Sequence, residues 1–199
     1  MSKSKTIKEQ YPPGDFAIWI IIYVELVTFG LLFLGYAFSR RANLEMFNHS
    51  QQMLETTSGF INTLLLVTSS YFVVKAVTTI QNMTDNRREE FNKKASKWLL
   101  LAMLFGAGFL VNKIFEFSYI FGEGINLSTN KFFMFYLLLT GFHFMHVLLG
   151  SVILFNIFQK TRVYGYTLED HKGIISGAAY WHMVDFLWII LFPLVYIIR

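Results

Sequence analysis

The sequence predicts an all-α integral membrane protein, a bundle of five transmembrane helices. Three observations carry this. Of 199 residues, 54% are hydrophobic and only 15% charged, which is too apolar for a soluble domain of this size. Five apolar runs, 16–38, 60–80, 98–121, 132–158 and 177–198, each reach the ~20 residues that cross a ~30 Å hydrocarbon layer at a rise of ~1.5 Å per residue. Only three prolines interrupt the whole chain, so those runs can stay helical. A spanning sheet would need short alternating strands closed into a barrel instead.

Residues 1–15, MSKSKTIKEQYPPGD, form a polar, basic tail. Pro12 and Pro13 followed by Gly14 stop regular structure there, and Asp15 is placed to cap the first helix. The run 16–38 is too long for a cleavable signal core, and YAFSRRAN offers no small-x-small cleavage site, so the span is expected to be retained. In the second run, 60–80, Lys75 lies close enough to the end for its stem to carry the amine to the headgroups. Trp98 at the start of the third run and Tyr36 near the end of the first suit the aromatic belt. With no linker, repeat or low-complexity tract, residues 16–199 read as one domain.

Charge orients the bundle. Lys3, Lys5, Lys8, Arg87, Arg88, Lys93, Lys94, Lys97, Lys160, Arg162 and Lys172 fall on one side, against Arg40, Arg41, Lys131 and Arg199 on the other. The amino terminus is therefore expected in the cytoplasm and the carboxyl terminus outside. The net charge of +4 is small and its basic residues lie beside apolar runs, which points to no nucleic-acid surface. The absence of cysteine removes disulfides and thiolate metal sites.

Ionisable groups within spans cost several kcal/mol unless they pair, snorkel or face the bundle interior. Lys113 and Glu116 are three apart and opposite in sign, so they share a helix face and can form an ion pair. Glu25 lies near the middle of its span with no basic residue close in sequence, so it is expected to be neutral or hydrogen-bonded to another helix, with proton handling as the functional alternative. His143 and His146 share a face in TGFHFMHVLLGS, and His182 and Asp185 repeat that spacing in AAYWHMVDFLW. Such groups bind helices together through hydrogen bonds. The same residues leave open a membrane redox protein holding haem or metal on His143, His146 and His182. A small proton-coupled transporter using Glu25 is a further alternative, against which stand the lack of an internal repeat and of an interrupted helix.

Several motifs in order resemble subunit III of the haem-copper oxidase superfamily over nearly the whole chain. YVELVTFGLLFLGYAF is similar to the family's helix with one intramembrane glutamate, matched by Glu25, and INTLLLVTSSY to its Asn-Thr-Leu-Leu-Leu and Ser-Ser pattern. FLVNKIFEF supplies Glu116 at the position of the acid on the third span. TGFHFMHVLLGS and DHKGIISGAAYWHMVDFLW are the most specific, with Met183 in place of a phenylalanine.

The resemblance implies a subunit that binds no haem or copper itself. It implies packing against a catalytic subunit that carries haem and copper or iron, retention of structural phospholipid, and support of proton uptake. It makes Glu25, Glu116, His143, His146, His182 and Asp185 the polar interior of interest, and Lys160 a lipid-phosphate contact. A catalytic subunit of the superfamily uses six histidine ligands, whereas this chain has five histidines, with His49 and His171 expected in loops. The long family form has seven spans and this chain begins at what resembles the third, so the cleft formed by the first two does not carry over. Five-span forms occur in quinol oxidases and beside nitric oxide reductase. PGDFAIWIIIYVE, the short first outer loop and KIFEF look most like the nitric-oxide-reductase-associated type.

Overall fold

The computed structural model describes residues 14–167 and 170–198. The lysines of the amino-terminal tail, Lys3, Lys5 and Lys8, and the terminal Arg199 lie outside the described residues. The described chain is helical throughout: α1 Phe16–Ala42, α2 Leu44–Gln51, α3 Thr56–Gln81, a 3-10 turn Asp85–Arg87, α4 Arg88–Gly122, α5 Lys131–Val163 and α6 Lys172–Phe192, which ends in a π turn at Pro193–Ile197. Five of these helices are long and apolar enough to cross a membrane. Asp15 caps α1, accepting from Ala17 N–H at 3.2 Å, and Asn130 caps α5, accepting from Phe133 N–H at 2.9 Å.

α3, α4, α5 and α6 pack as a ring of neighbours, and α1 lies outside it against α5 and α6. The burial gradient follows. The most apolar window of α6 is 56% buried and that of α1 only 11%, so α6 forms the core while most of α1 is exposed. Small residues set the closeness of α6. The Trp181 ring enters between α4 and α5 at Gly106 and Gly150, where a Cβ would stand 2.9 Å from the indole on either side.

Helix ends differ from the apolar runs because hydropathy marks the lipid-crossing part and not the helix. α4 begins ten residues before Trp98, so most of the expected loop 81–97 is helix. Lys93 pairs with Glu89 at 2.7 Å and Arg87 with Glu90 at 2.8 Å, which suits an exposed helical extension. The hydrogen bond from Lys93 is the main cause holding the Glu89 carboxyl below its ordinary range. α2 is a short helix in the connection between α1 and α3 that contains His49, correcting its expected loop placement; His171 lies outside a helix, at the start of α6. At the far end of α6, Pro193 cannot donate to the ladder, and the Ile198 N–H returns to the Pro193 carbonyl at 2.9 Å. Gln51 of α2 donates to the Val195 carbonyl at 3.0 Å, tying the connection between α1 and α3 to that turn.

Candidate functional site

The intramembrane polar residues fall into three groups, each positioned by a different set of helices. Toward the carboxyl-terminal end of α4, Lys113 and Glu116 point into the bundle. Lys113 Nζ stands 2.9 Å from Glu116 Oε1, with side-chain exposures of 0% and 7%. Tyr136 of α5 and Tyr196 of the π turn both donate to Glu116 Oε1 at 2.5 Å, and Lys113 also donates to Tyr196 Oη at 2.6 Å. The rings of Phe117, Tyr136, Trp188 and Tyr196 surround the ammonium, with centroids 5.1–5.5 Å away. Such faces attract a cation that has lost its water. Asn112 extends the network to α3 through Ser58 Oγ at 3.0 Å and Asn62 Oδ1 at 2.9 Å.

At mid-depth Glu25 of α1 meets His146 of α5, with Oε2 to Nε2 at 3.0 Å. The other imidazole nitrogen, Nδ1, lies 2.8 Å from the Phe142 carbonyl. An N–H on Nδ1 donating to that carbonyl leaves Nε2 as the atom that faces the carboxyl. His143, one turn away, behaves differently. It is wholly buried between Phe29, Phe109 and Trp188, and neither of its nitrogens has a hydrogen-bond partner among the described residues. The expected interhelical hydrogen bond is thus absent for His143, because aromatic rings occupy the positions from which a polar neighbour would reach it. Trp188 turns its own indole N–H to Thr63 at 3.0 Å.

The third group joins α6 to α3. His182 Nδ1 lies 2.5 Å from Ser70 Oγ and 3.5 Å from Asp185 Oδ2. The His182 side chain is 38% exposed, and it lines an apolar groove of about 630 Å³ between α1, α3 and α6 with Trp19, Leu26, Val77 and Phe186. His143, His146 and His182 therefore serve three separate environments. Among the described residues, no three His, Asp or Glu side chains gather as a metal site. Lys160, read from sequence as a lipid contact, has its ammonium on Asp170 Oδ2 at 2.9 Å and over the Tyr166 ring at 4.9 Å. That hydrogen bond, more than the charge itself, holds the Asp170 carboxyl below its ordinary range.

Tyr136, Tyr196, Ser70 and the polar trio Asn112, Ser58 and Asn62 are absent from the sequence-based set. Their signal lies in chemistry: a buried tyrosine needs a partner for its hydroxyl, and a membrane carboxylate needs donors. Which tyrosine meets which carboxylate depends on helix order, which spacing within one helix does not contain.

The cytochrome c oxidase subunit III family model matches residues 17–199. The chain is 30% identical over 180 residues to cytochrome c oxidase subunit 3 of Thermostichus vulcanus, covering 90% of this chain and 84% of that one. It is 27% identical to cytochrome bo(3) ubiquinol oxidase subunit 3 of Buchnera aphidicola subsp. Schizaphis graminum, covering 92% of each. It is 26% identical to a probable quinol oxidase subunit 3 of Staphylococcus saprophyticus, covering 98% of this chain and 95% of the other. A match that runs through all five spans, with relatives aligned over most of both chains, leads to one conclusion: this chain belongs to the cytochrome c oxidase subunit III family.

Proposed function

We propose that the chain is a non-redox accessory subunit of a haem-copper oxidase, stabilising the catalytic subunit and its lipid and proton-uptake environment. The observation that carries this is the family match along residues 17–199. On this reading haem, copper or iron belong to the partner subunit, and residues 16–199 act as one membrane domain. The amino terminus faces the cytoplasm of a bacterial inner membrane, and phospholipid fills the remaining contacts. The exposure of α1 supports a partner, since Ile20, Val24, Val27, Leu31 and Leu34 are each about half exposed or more along its outer face. Glu25 and His182, with 23% and 38% of their side chains exposed, are then the polar groups left open to a partner, with His146 and Asp185 beside them, and Lys113 and Glu116 hold the outer end. The short outer loop and KIFEF motif favour a nitric oxide reductase as a second partner class.

The test is purification from the native membrane in mild detergent, with co-purifying subunits identified and visible spectra recorded before and after separation. Haem absorbance leaving with a larger partner is the expected result, and that partner names the complex. Colour remaining with this chain alone would overturn the proposal and return the histidines to the status of ligands.

A further inference from the structure

α1 packs on α5 and α6, and α3 packs on α4 and α6, so α6 forms the floor of the groove of about 630 Å³ that α1 and α3 leave between them. Its mouth is marked by Trp19 in the first turn of α1, Thr78 and Gln81 at the end of α3, and Ile175 in the first turn of α6. The Asp15 N–H donates to Ser176 Oγ at 2.8 Å there and holds α1 on α6. Among the described residues that line the groove none is charged, and Thr78 donates its hydroxyl to the Val74 carbonyl at 2.9 Å. Below the mouth, His182 is the polar side chain of the groove. It stands ten residues into α6 from Lys172, about 15 Å along the axis, which is half of the ~30 Å hydrocarbon layer.

The imidazole is oriented by the chain and left with one nitrogen to offer. Nδ1 lies 2.5 Å from Ser70 Oγ and 3.5 Å from Asp185 Oδ2. Nε2 has no hydrogen-bond partner among the described residues and is not sealed from the surroundings. In a neutral imidazole the bond made by one nitrogen sets what the other presents. With the Ser70 hydroxyl donating to Nδ1, the proton stands on Nε2 and the ring offers an N–H to a carbonyl. With the proton on Nδ1, facing Ser70 or Asp185, Nε2 accepts from a hydroxyl. One side chain thus fits a carbonyl and a hydroxyl at the same point, and a mostly apolar cavity of ~300–1,000 Å³ with a single well-placed polar group is the usual form of a small-molecule site.

Shape and depth identify the occupant. Spread over the ~16 Å between Ile175 and Phe186, the volume has a mean cross-section of about 40 Å², roughly half that of a helix ~10 Å across, so the slot takes a flat ring or a single chain and not a partner helix. A phospholipid keeps its charged head at the surface, where this mouth offers no cation, and its acyl chains have no atom to meet Nε2. What fits is an uncharged, largely apolar molecule whose carbonyl or hydroxyl travels with it to mid-depth. We propose that the groove binds an isoprenoid quinone, oxidised or reduced, with its ring beside Leu26 and Phe186, one ring oxygen on His182 Nε2 and its prenyl chain along Val77 toward Trp19. The site requires only that the chain is membrane-embedded. It holds whether the groove opens on lipid or on a partner, and it is independent of the accessory-subunit reading.

The full chain in phosphatidylcholine nanodiscs is titrated with tritiated decylubiquinone or its quinol, and uptake is counted against empty nanodiscs of the same lipid. Wild type should bind one molecule of either form per chain, saturably and above lipid partition. His182→Phe, which keeps the bulk of the ring, should weaken both forms by about 5-fold, the effect of one neutral hydrogen bond. Ser70→Ala leaves Asp185 as the neighbour of Nδ1 and keeps the proton there, so it should weaken the oxidised form by about 5-fold and spare the quinol. A loss of packing alone would weaken both forms alike. His49→Phe, exposed on α2 at the other end of α1, should change neither. Uptake no greater than partition, unaltered affinity in His182→Phe, or equal loss of both forms in Ser70→Ala would overturn the site. Displacement by decylbenzene as strong as by unlabelled decylubiquinone would also overturn it and assign the groove to hydrocarbon chains.

Discussion

Lys113→Met should destabilise the chain by about 3 kcal/mol, and the geometry sets that figure. Removing one member of a buried ion pair costs ~3–5 kcal/mol because the other charge is left uncompensated. Here the loss falls at the lower end, since Glu116 Oε1 keeps two tyrosine donors at 2.5 Å. Charge-assisted bonds of that kind are each worth ~1.5–3 kcal/mol. Glu116→Gln should cost at least as much, because the ammonium it strands is 0% exposed and keeps only neutral partners, ring faces and the hydroxyls of Tyr136 and Tyr196. The double variant carries no charge and fills similar volume, so it should lie within ~1–2 kcal/mol of wild type. The cycle then yields a coupling of about 4 kcal/mol, inside the range measured for close desolvated pairs. Unfolding by dodecyl sulfate in mixed micelles, followed through the fluorescence of buried Trp181 and Trp188, measures all four proteins. Single variants within ~1 kcal/mol of wild type, or effects that simply add, would refute the reasoning.

The remaining expectations use the same unfolding assay unless stated. Gly150→Ala should lose ~1–3 kcal/mol, because the new Cβ meets the Trp181 ring at 2.9 Å; unchanged stability would mean that Trp181 is free to move. His143→Phe should be neutral or stabilising, since both nitrogens are buried without partners and each such group costs ~1–3 kcal/mol; a loss above ~2 kcal/mol would show that the imidazole is bound to something. Asn92→Ala should cost ~1–3 kcal/mol and speed amide exchange at Tyr166, whose N–H donates to Asn92 Oδ1 at 2.7 Å; unchanged exchange there would remove Asn92 as the clasp of that loop. Glu25→Gln keeps a hydrogen-bonding group toward His146 and should stay within ~1 kcal/mol of wild type while lowering turnover of the isolated complex; full turnover would remove any proton role for Glu25.

The five spans were legible because burial in lipid demands long apolar runs, and such runs are a property of sequence alone. The extension of α4 from Arg88 and the short helix α2 were not, since both lie in polar stretches that hydropathy passes over. The spacing of Lys113 and Glu116 announced their proximity because both lie on one helix. Glu25 and His146 are 121 positions apart, and their meeting depends on α1 docking against α5. His143 shows the converse. Its spacing from His146 places both on one side of α5, and the Phe29 ring lies against both, yet α1 presents a carboxylate to His146 and none to His143.

The three polar groups differ in how completely the chain satisfies them, and that difference separates structural from external roles. In the Lys113–Glu116 cluster one carboxylate oxygen accepts from Lys113, Tyr136 and Tyr196 together, and both charges are sealed from the surroundings. Nothing further is needed to hold those charges in lipid, so the cluster works as an internal fastening between α4, α5 and the end of α6. Glu25 and His182 keep 23% and 38% of their side chains exposed, at depths where contact with hydrocarbon costs several kcal/mol for a charged group. Glu25 is paired with His146, and His182 with Ser70 and Asp185, and both keep part of their surface open. A bundle that seals one ionic cluster so completely has the means to seal others, and it leaves these two groups open beside its least buried helix. That asymmetry is what a subunit should show when part of its polar inventory is completed only by the surface against which it packs.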